Sequence, residues 1–466
     1  MPSSPATLSN LLTQMYQDQE VLQGWDAVMN LLETSVNSFF QAQWNKQTAG
    51  AGQMSISTIW CEGVQTFHGT TFTNVTQFNV VLGPPLFQFQ SGQASVTVTQ
   101  KILGGTLTIG TKTVAGSFSP PACGCQVNDP SVQWGTPQTI NTASNPTLTG
   151  TVALGQVQGM IANGSSLILD FAKGSFTLNQ LSVQGVPNTT IVNQLVNWFA
   201  TNEIKYTLAS LNFQNLTGQA SLTPRSFQFN VVTTNSGNTI VQLLIMTDGT
   251  QPQTSHINVD EPIPTGDGLT CSLMISSRIL YQTILVAGFN QGGAPFQLYA
   301  SSPSSVAQSW SAAISPQMHF SGQFSFGSCC DRTTVTYSIY LGGNYNGSPT
   351  SGFVLSQHVT TQGNASVNID VSASYPVTLS GSGPNQRINI TPGTPSVSVT
   401  GSVEGEIKST LENILNTNLR NSMAGISFGS VTAFALENLV FPGNLMSMSQ
   451  VQAPADLLIV GTFAGG

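Results

Sequence analysis

The stretch that decides the expected fold is Gly24–Trp44, GWDAVMNLLETSVNSFFQAQW. Its large apolar residues recur at the spacing of one helix face: Trp25, Val28, Met29, Leu32, Val36, Phe39 and Phe40. A stripe with this period is typical of an amphipathic α-helix, and Asp26 in the first turn would favour the positive end of the helix dipole. The pattern therefore predicts a helix over 24–44 whose apolar face lies on a sheet.

The composition restricts the class of protein. The 466-residue chain has 6% charged residues, 40% hydrophobic residues and a formal net charge of −8. This hydrophobic content is enough for a sizeable core. An acidic, charge-poor chain argues against a nucleic-acid partner, which would require basic stripes. Because no run of about 18 apolar residues occurs, no transmembrane segment is expected.

The first residues, MPSSPATLSNLL, lack the basic stretch and the continuous apolar segment of a secretory signal peptide. We therefore expect a protein that is cytoplasmic as synthesised. Release by a route that needs no cleaved signal is the alternative.

From residue 54 onward the apolar pattern mostly has a period of two, which predicts meanders of short antiparallel strands with one polar face. Helical spacing returns in three segments: 189–205, 273–287 and 404–421. The segment 251–268 has three prolines and no apolar period, so it is predicted to be a linker. The predicted domains are an N-terminal lobe over 1–250 and a C-terminal lobe over 269–466.

The two predicted lobes repeat the same order of helix, long meander, helix and two strands. When Phe213 is placed on Phe428, Leu211 meets Ile426 and Lys205 meets Arg420. The expected fold class is therefore α+β. It is a pseudo-duplicated, two-lobed architecture in which long helices are wrapped by highly curved antiparallel sheets.

The motifs of catalysis and metal binding are weak. Gly425–Gly429 matches G-x-S-x-G, but a helix precedes it and a strand follows, the reverse of a hydrolase nucleophile elbow. The histidines are scattered, and no cysteines form a C-x-x-C pair. Cys123 and Cys125 could pair with another loop or bind a metal, but unpaired loop cysteines are the favoured interpretation. The sequence therefore predicts no enzyme activity, no metal and no cofactor.

Several segments resemble a known group of proteins. These are Gly24-Trp25-Asp26, Met274–Ser277, the run Phe434–Gly443 and the run Ala453–Phe463. They are similar to the accessory proteins encoded beside clostridial neurotoxins, namely the OrfX-type proteins and their forty-seven-kilodalton companion. That family belongs to the TULIP superfamily of tubular lipid-binding proteins. The resemblance implies a groove for acyl chains and partners among the toxin-cluster proteins.

A groove of this kind also has a physical basis. An apolar helix in a concave apolar sheet leaves a seam, and a lipid tail in it would gain about 0.8 kcal/mol per buried methylene. The candidate groove residues are Trp25, Val28, Leu32, Val36, Phe39, Phe40, Leu195, Trp198, Phe199, Ile279 and Ile414. The same residues would equally fill a closed core, since interiors pack to crystal-like density.

Two functions follow from these alternatives. The first is a toxin-associated accessory protein that binds a lipid, a fatty acyl chain or another hydrophobic ligand. The second is a non-enzymatic interaction component of a toxin or secreted complex, with a closed core and no groove. A glycan-binding module, suggested by composition alone, is a third and more remote hypothesis.

Overall fold

The protein forms two compact units in the computed structural model. Unit 1 comprises Met1–Leu32, Gln158–Ser165 and Leu211–Ala464, and unit 2 comprises chiefly Glu33–Val157 and Ser166–Ser210. The structure describes residues 6–18, 21–93, 95–114, 124–153, 158–160, 166–181, 183–210, 224–247, 254, 256–286, 297–302, 310–315, 318–327, 332–341, 344–348, 352–361, 367–382, 386–391, 393–401, 405–423, 431–432 and 446–463.

Each unit is assembled from stretches that are separate in the sequence. The predicted lobes over 1–250 and 269–466 are continuous, so their boundaries differ from those of the units. The division into lobes stays a prediction.

The α- and π-helices of the described residues are α1 (Leu8–Asp18), α2 (Glu33–Gln47), α3 (Asn188–Thr201), α4 (Ser277–Ile279, continued by π-helical Leu280–Leu285) and α5 (Gly405–Met423). The strands are β1 (Ala27–Leu32), β2 (Met54–Phe67), β3 (Thr70–Phe89), β4 (Ser95–Val114), β5 (Gln133–Trp134), β6 (Gln138–Thr139), β7 (Thr147–Ala153), β8 (Gln158–Met160), β9 (Ser166–Asp170), β10 (Ser175–Asn179), β11 (Lys205–Ser210), β12 (Ser226–Thr233), β13 (Thr239–Met246), β14 (Cys271–Ile275), β15 (Gln297–Ser301), β16 (Ser311–Ser315), β17 (Met318–Phe326), β18 (Thr333–Leu341), β19 (Asn344–Ser348), β20 (Gly352–Thr361), β21 (Val367–Tyr375), β22 (Val377–Ser380), β23 (Arg387–Ile390), β24 (Ser396–Gly401), β25 (Val431–Thr432), β26 (Met446–Gln452) and β27 (Leu457–Phe463).

The main sheet of unit 1 has seven strands in the order β26-β27-β14-β1-β13-β12-β8. All neighbouring strands are antiparallel, and β1 lies at the centre with Val28 opposite both Leu244 and Met274. Nearly every residue of β1, β13, β14 and β27 is buried, so both faces of the sheet are covered. Strands buried on both faces have continuous apolar sequences rather than alternating ones.

The predicted helix over 24–44 therefore needs correction. Its first half is strand β1, and the helix begins only at Glu33. The run Ala27–Leu32 is apolar at almost every position, and a short apolar run fits a buried strand as well as a helix. Pairing with β13 and β14, more than 200 residues away, decides between the two.

The predicted helix over 273–287 needs a similar correction. Cys271–Ile275 is strand β14, and helical structure begins at Ser277, where the Ser276 hydroxyl accepts a bond from the Ile279 amide at 3.3 Å. In the other two predicted segments, α3 covers most of 189–205 and α5 nearly all of 404–421. The end of the first of these, from Lys205, is strand β11.

Unit 2 contains a sheet in the order β10-β7-β4-β3-β2, with β5 and β6 paired to β4. A separate pair, β9 with β11, belongs to the same unit, as do helices α2 and α3. Strands β3 and β4 have 20 residues each and form the longest hairpin of the unit.

The rest of unit 1 consists of smaller antiparallel sheets. One has six strands in the order β15-β16-β19-β20-β21-β24, one is the hairpin β17–β18, and one joins β22, β23 and β25. Helix α5 is fixed to β24 by a bond from the Val399 amide to the Glu412 carboxylate at 2.7 Å. The fold class is thus α+β, with several open antiparallel sheets.

Candidate hydrophobic ligand site

The structure divides the predicted groove residues between the two units. Unit 2 holds six of them: Val36, Phe39, Phe40, Leu195, Trp198 and Phe199. Unit 1 holds the other five: Trp25, Val28, Leu32, Ile279 and Ile414.

Six aromatic rings form the centre of unit 2. They are called the aromatic cluster and consist of Phe40, Phe87, Phe171, Phe176, Phe199 and Tyr206. Five are 0–1% exposed and Phe176 is 7% exposed. Consecutive ring centroids lie 4.5–5.8 Å apart, the range in which an aromatic pair contributes about 0.5–1.5 kcal/mol beyond its buried area.

Helices α2 and α3 supply the cluster with residues at helical spacing. On α2, Val36, Phe40 and Trp44 follow one another at four-residue intervals and are all buried. On α3, Leu195 and Phe199 do the same. The two remaining predicted residues lie at the margin: half-buried Phe39 is 6.0 Å from Phe40, and half-buried Trp198 is 6.1 Å from Phe199.

Polar side chains of α2 bind the open edge of β3. Strand β2 pairs with β3 only as far as Leu82. Beyond that point Asn37 donates to the Phe87 carbonyl and accepts from the Phe87 amide, both at 2.8 Å. The Glu33 carboxylate accepts from the Phe89 amide at 2.7 Å. The helix thus supplies the bonds that a neighbouring strand would otherwise make.

The other side of α2 binds the edge of β11 in the same way. Gln43 donates to the Thr207 carbonyl at 2.8 Å and accepts from the Thr207 amide at 3.1 Å. Gln47 donates to the Lys205 carbonyl at 3.0 Å. Helix α2 therefore lies between two strand edges, held by side-chain amides, with its apolar face on the aromatic cluster.

Two polar atoms in this region have no hydrogen-bond partner within the described residues. They are the indole Nε1 of Trp44 and the hydroxyl of Tyr206. Burial raises the pKa of Tyr206 far above its usual value of 10, so the hydroxyl keeps its proton and can donate. An unsatisfied buried polar group costs about 1–3 kcal/mol. The region therefore offers two donors to any ligand that brings an acceptor.

The core of unit 1 around Trp25 differs, because the buried indole there has a hydrogen-bond partner in the protein. Trp25 and Val28 pack with residues of α1 and the main sheet, including Leu11, Met15 and Met274, all at most 2% exposed. The Trp25 indole donates to the Thr254 carbonyl at 3.0 Å, so its polar atom is satisfied by the protein. The segment predicted to be a linker contributes buried Ile257 and Val259 to the same core.

A row of polar side chains crosses four strands of the main sheet. Asn230 donates to Gln242 at 3.2 Å, Gln242 donates to Asn30 at 2.8 Å, and Asn30 donates to Ser272 at 3.1 Å. Ser272 then donates to the Pro262 carbonyl at 2.5 Å. The row contains groups that must be paired when buried, so it fixes the register of β12, β13, β1 and β14.

Unit 1 also buries two carboxylates. Asp26 binds the Arg278 guanidinium and accepts from the Thr247 amide at 2.7 Å. Asp456 accepts from the Ser277 amide at 2.6 Å and from the Val21 amide at 3.3 Å. Burial raises the pKa of Asp456 to about 7, although the amide bonds oppose this shift. These contacts join segments that are far apart in the sequence, so the two carboxylates have a structural role.

The remaining predicted residues of unit 1 lie at scattered places. Leu32 ends β1 half-buried, Ile279 is 2% exposed at α4, and Ile414 is half-buried on α5. The prediction from sequence missed four members of the aromatic cluster: Phe87, Phe171, Phe176 and Tyr206. Of these, only Phe87 carries a signal in the sequence, because Phe87 and Phe89 follow the two-residue period expected of the strands after residue 54.

The known proteins that this chain resembles are similar to it in structure and not in sequence. No family model matches the sequence, and no curated protein does. By structure the chain is similar to P47 from Clostridium botulinum A2, with a TM-score of 0.52 and 13% identity over 95% of this chain and 98% of that one. It is also similar to P47 of Clostridium botulinum E1, with a TM-score of 0.51 and 11% identity over 95% and 99%.

A crystal structure of lipopolysaccharide binding protein matches with a TM-score of 0.30 and 10% identity, over 94% of this chain and 99% of that one. The two P47 matches cover nearly the whole chain, so the molecule has the fold of the P47 proteins. The expected resemblance to the forty-seven-kilodalton proteins is confirmed as a likeness of fold.

None of the helices within the described ranges is long and apolar enough to cross a membrane. No cluster of three or more His, Cys, Asp or Glu residues in those ranges is placed to hold a metal ion.

Proposed function

We propose that the chain binds a lipid or another elongated apolar ligand in unit 2 and serves as an accessory to a toxin or secreted complex. The P47 fold over almost the whole chain supports the accessory role. The two-lobed TULIP-like architecture and the toxin-cluster partners come from the same resemblance and are part of the proposal.

The observation that carries the ligand proposal is a pair of buried donors, Trp44 Nε1 and the Tyr206 hydroxyl, that have no partner within the described residues. Tyr206 belongs to the aromatic cluster, and Trp44 is buried one helical turn after Phe40 on α2. A ligand with an apolar body and one acceptor, such as an acyl chain with its carboxylate or carbonyl, would satisfy a donor and gain contacts with the rings. Ligand sites of this kind combine an apolar lining with a few polar groups.

The way α2 is attached offers a route for such a ligand. The helix is held to β3 and β11 by side-chain hydrogen bonds, each with a net contribution of about 0.5–1.5 kcal/mol. A shift of α2 would expose Phe40 and its neighbours without breaking a strand ladder. An acyl chain that enters there would gain about 0.8 kcal/mol per buried methylene.

The second candidate is the interaction component with a closed core. The complete burial of Phe40, Phe87, Phe171 and Tyr206 favours it, because these rings already contact one another. In that case the two unsatisfied donors are a cost of folding, and the function lies in the polar surface that other proteins would contact.

Fluorescent fatty-acid titration, together with chemical denaturation, separates the two candidates. The ligand proposal expects binding by the parent protein and binding at least about tenfold weaker in Phe40→Ala, which corresponds to about 1.4 kcal/mol. Trp25→Ala is the matched control, because it removes an equally buried ring from unit 1, whose donor is already satisfied. It should leave the affinity unchanged.

A closed core predicts a different result in the same two measurements. If the parent protein binds no fatty acid, and Phe40→Ala lowers the free energy of unfolding by about 3–5 kcal/mol, the ring only fills a core. The ligand proposal is then wrong and the closed-core component remains.

Two further expectations from the sequence belong to the proposal. The chain acts without catalysis, and it is cytoplasmic as synthesised, with release that needs no cleaved signal. Fractionation of the producing cells, with detection of the intact chain in the medium, tests the release.

A further inference from the structure

A hairpin of unit 2 carries an exposed aromatic ring at its end. Strands β2 and β3 meet at a turn formed by His68 and Gly69, and Phe67 directly precedes this turn. Phe67 is 69% exposed, the largest fraction among the large hydrophobic side chains of the described residues. Single exposed hydrophobic residues are ordinary on protein surfaces, so Phe67 is distinguished by its place in the hairpin.

The end of this hairpin is accessible from both faces. Every residue from Gly63 to Thr70 is exposed, although successive side chains of a strand point to opposite faces. This segment is called the hairpin tip. At about 3.3 Å per residue, the strand from Gly63 to Phe67 gives the tip a length of about 13 Å. A partner can therefore surround the tip on both faces.

The turn orders the hairpin tip before any partner is bound. His68 and Gly69 have φ angles of 49° and 78°, as in the type I′ turn, whose twist matches that of a hairpin. The His68 ring lies edge-on to the Phe67 ring, with centroids 4.3 Å apart. The Thr66 and Thr71 hydroxyls lie 3.3 Å apart across the two strands. Because the tip is already ordered, burial of Phe67 costs little conformational entropy.

The hairpin tip carries no carboxylate, ammonium or guanidinium group. No Asp, Glu, Lys or Arg lies between Glu62 and Lys101 in the sequence. Glu62, which directly precedes the tip, accepts from the Trp60 indole at 2.8 Å. Lys112, on the strand that pairs with β3, lies 3.0 Å from the Asp129 carboxylate. Entry of the tip into an apolar medium would therefore not remove any of these charges from water.

We propose that the hairpin tip inserts Phe67 into the interface of a lipid membrane with zwitterionic headgroups. Amphipathic elements place their apolar side chains about 5–10 Å into this interface, and a tip of about 13 Å is long enough to do so. The backbone of the tip is paired within the hairpin, from Val64 opposite Thr73 to Phe67 opposite Thr70. Insertion leaves these paired groups satisfied.

The charge of the chain decides between kinds of headgroup. The formal net charge is −8 and the tip has no Lys or Arg, so an anionic surface offers it no attraction. Binding by burial of an apolar ring is also insensitive to salt, whereas salt screens ion pairs. A zwitterionic surface, such as phosphatidylcholine, is therefore the expected partner. This contact goes beyond the ligand proposal and does not depend on it.

Sedimentation of the full-length protein with phosphatidylcholine vesicles tests the proposal. The parent protein should bind equally at low and high salt, and Phe67→Ala should lower the partition coefficient at least about tenfold, which corresponds to about 1.4 kcal/mol. Tyr340→Ala is the matched control, because Tyr340 is an exposed ring that also contacts a histidine at 4.3 Å, but in unit 1. It should bind as the parent protein does.

Phe67→Trp locates the contact. This variant should bind at least as well as the parent protein, since Trp favours the membrane interface. Phosphatidylcholine brominated along its acyl chains should quench the fluorescence that the added indole contributes. Both Phe67 variants should keep the parent's unfolding midpoint, because the side chain is exposed. Their fatty-acid affinity should also be unchanged, which separates the membrane contact from the site around Phe40.

Three results would overturn the proposal. They are a parent protein that does not sediment with the vesicles, a Phe67→Ala variant that binds as well as the parent, and an added indole that brominated lipid does not quench. In the first case a contact with another protein becomes the remaining interpretation of the tip. A parent protein that binds vesicles but no fatty acid would leave this proposal standing while the ligand proposal fails.

Discussion

At the scale of single residues, Tyr206 distinguishes a ligand site from a closed core. Its hydroxyl is buried without a partner within the described residues, so Tyr206→Phe should raise the free energy of unfolding of the lipid-stripped protein by about 1–3 kcal/mol. The same change should weaken binding of a ligand whose acceptor uses the hydroxyl. Denaturation of stripped protein and fatty-acid titration measure the two effects.

Tyr281→Phe is the matched control, because Tyr281 is an equally buried tyrosine in unit 1. It should leave fatty-acid affinity unchanged. If Tyr206→Phe stabilises the protein without any effect on affinity, the hydroxyl is no part of a ligand site.

Asp456 predicts a pH dependence of stability. Its pKa is about 7 in the folded protein against 3.8 for the ordinary carboxyl, so the folded state holds more protons than the unfolded state between these values. Its favourable contribution is therefore fully present below about pH 4 and is lost as pH rises toward and through 7. Unfolding at pH 4.5 to 7.5 should show this decline in the parent protein and lack it in Asp456→Asn. An identical slope in both proteins would contradict the assignment.

At the scale of elements, α2 is attached to its neighbours by side chains. Asn37→Ala removes both bonds to Phe87 and should lower the free energy of unfolding by about 1–3 kcal/mol, because backbone groups at a strand edge lose their partner. Hydrogen exchange should also become faster in α2. Gln41→Ala is the control, since the one bond of the Gln41 side chain to the described residues is to Asn45 of its own helix. Equal effects of the two substitutions would mean that these edge contacts do not hold the helix.

The segment over 24–44 shows how far the sequence determines an element. Its second half, from Glu33, has apolar residues at helical spacing with polar residues between them, and it is a helix. In its first half, the run Ala27–Leu32 is apolar except at Asn30, so the period cannot separate helix from buried strand. Asn30 is polar and lies outside the apolar stripe of the predicted helix, yet it is 0% exposed and belongs to the polar row. Whether such a residue is buried or exposed is determined only by the long-range pairing of its strand.

Helices α3 and α5 could be predicted because their apolar residues have a clear helical period. Each alternates buried and exposed residues with a period close to 3.6, as at Ile191, Leu195 and Phe199 in α3. This pattern is local and needs no knowledge of the partner. The aromatic cluster is not local, since its rings come from β3, β10, β11, two helices and the turn at Phe171, and the sequence predicted only its helical members.

At the scale of the whole molecule, the predicted groove joined residues that belong to two units. The units are assembled from non-contiguous stretches, and no periodicity in the sequence reports that arrangement. The likeness of fold to P47 at 13% identity shows that a fold can persist while most residues differ. The fold could therefore be expected from the short segments that resemble the forty-seven-kilodalton proteins, whereas the candidate site could be located only in the structure.

The central claim is that unit 2 holds an apolar ligand. Native mass spectrometry of the full-length protein, purified without detergent, tests it most directly. The account predicts a population heavier than the chain by the mass of a lipid, which disappears after organic extraction and is depleted in Phe40→Ala but retained in Trp25→Ala. A single species at the mass of the chain alone, which also fails to take up added fatty acid, would contradict the claim.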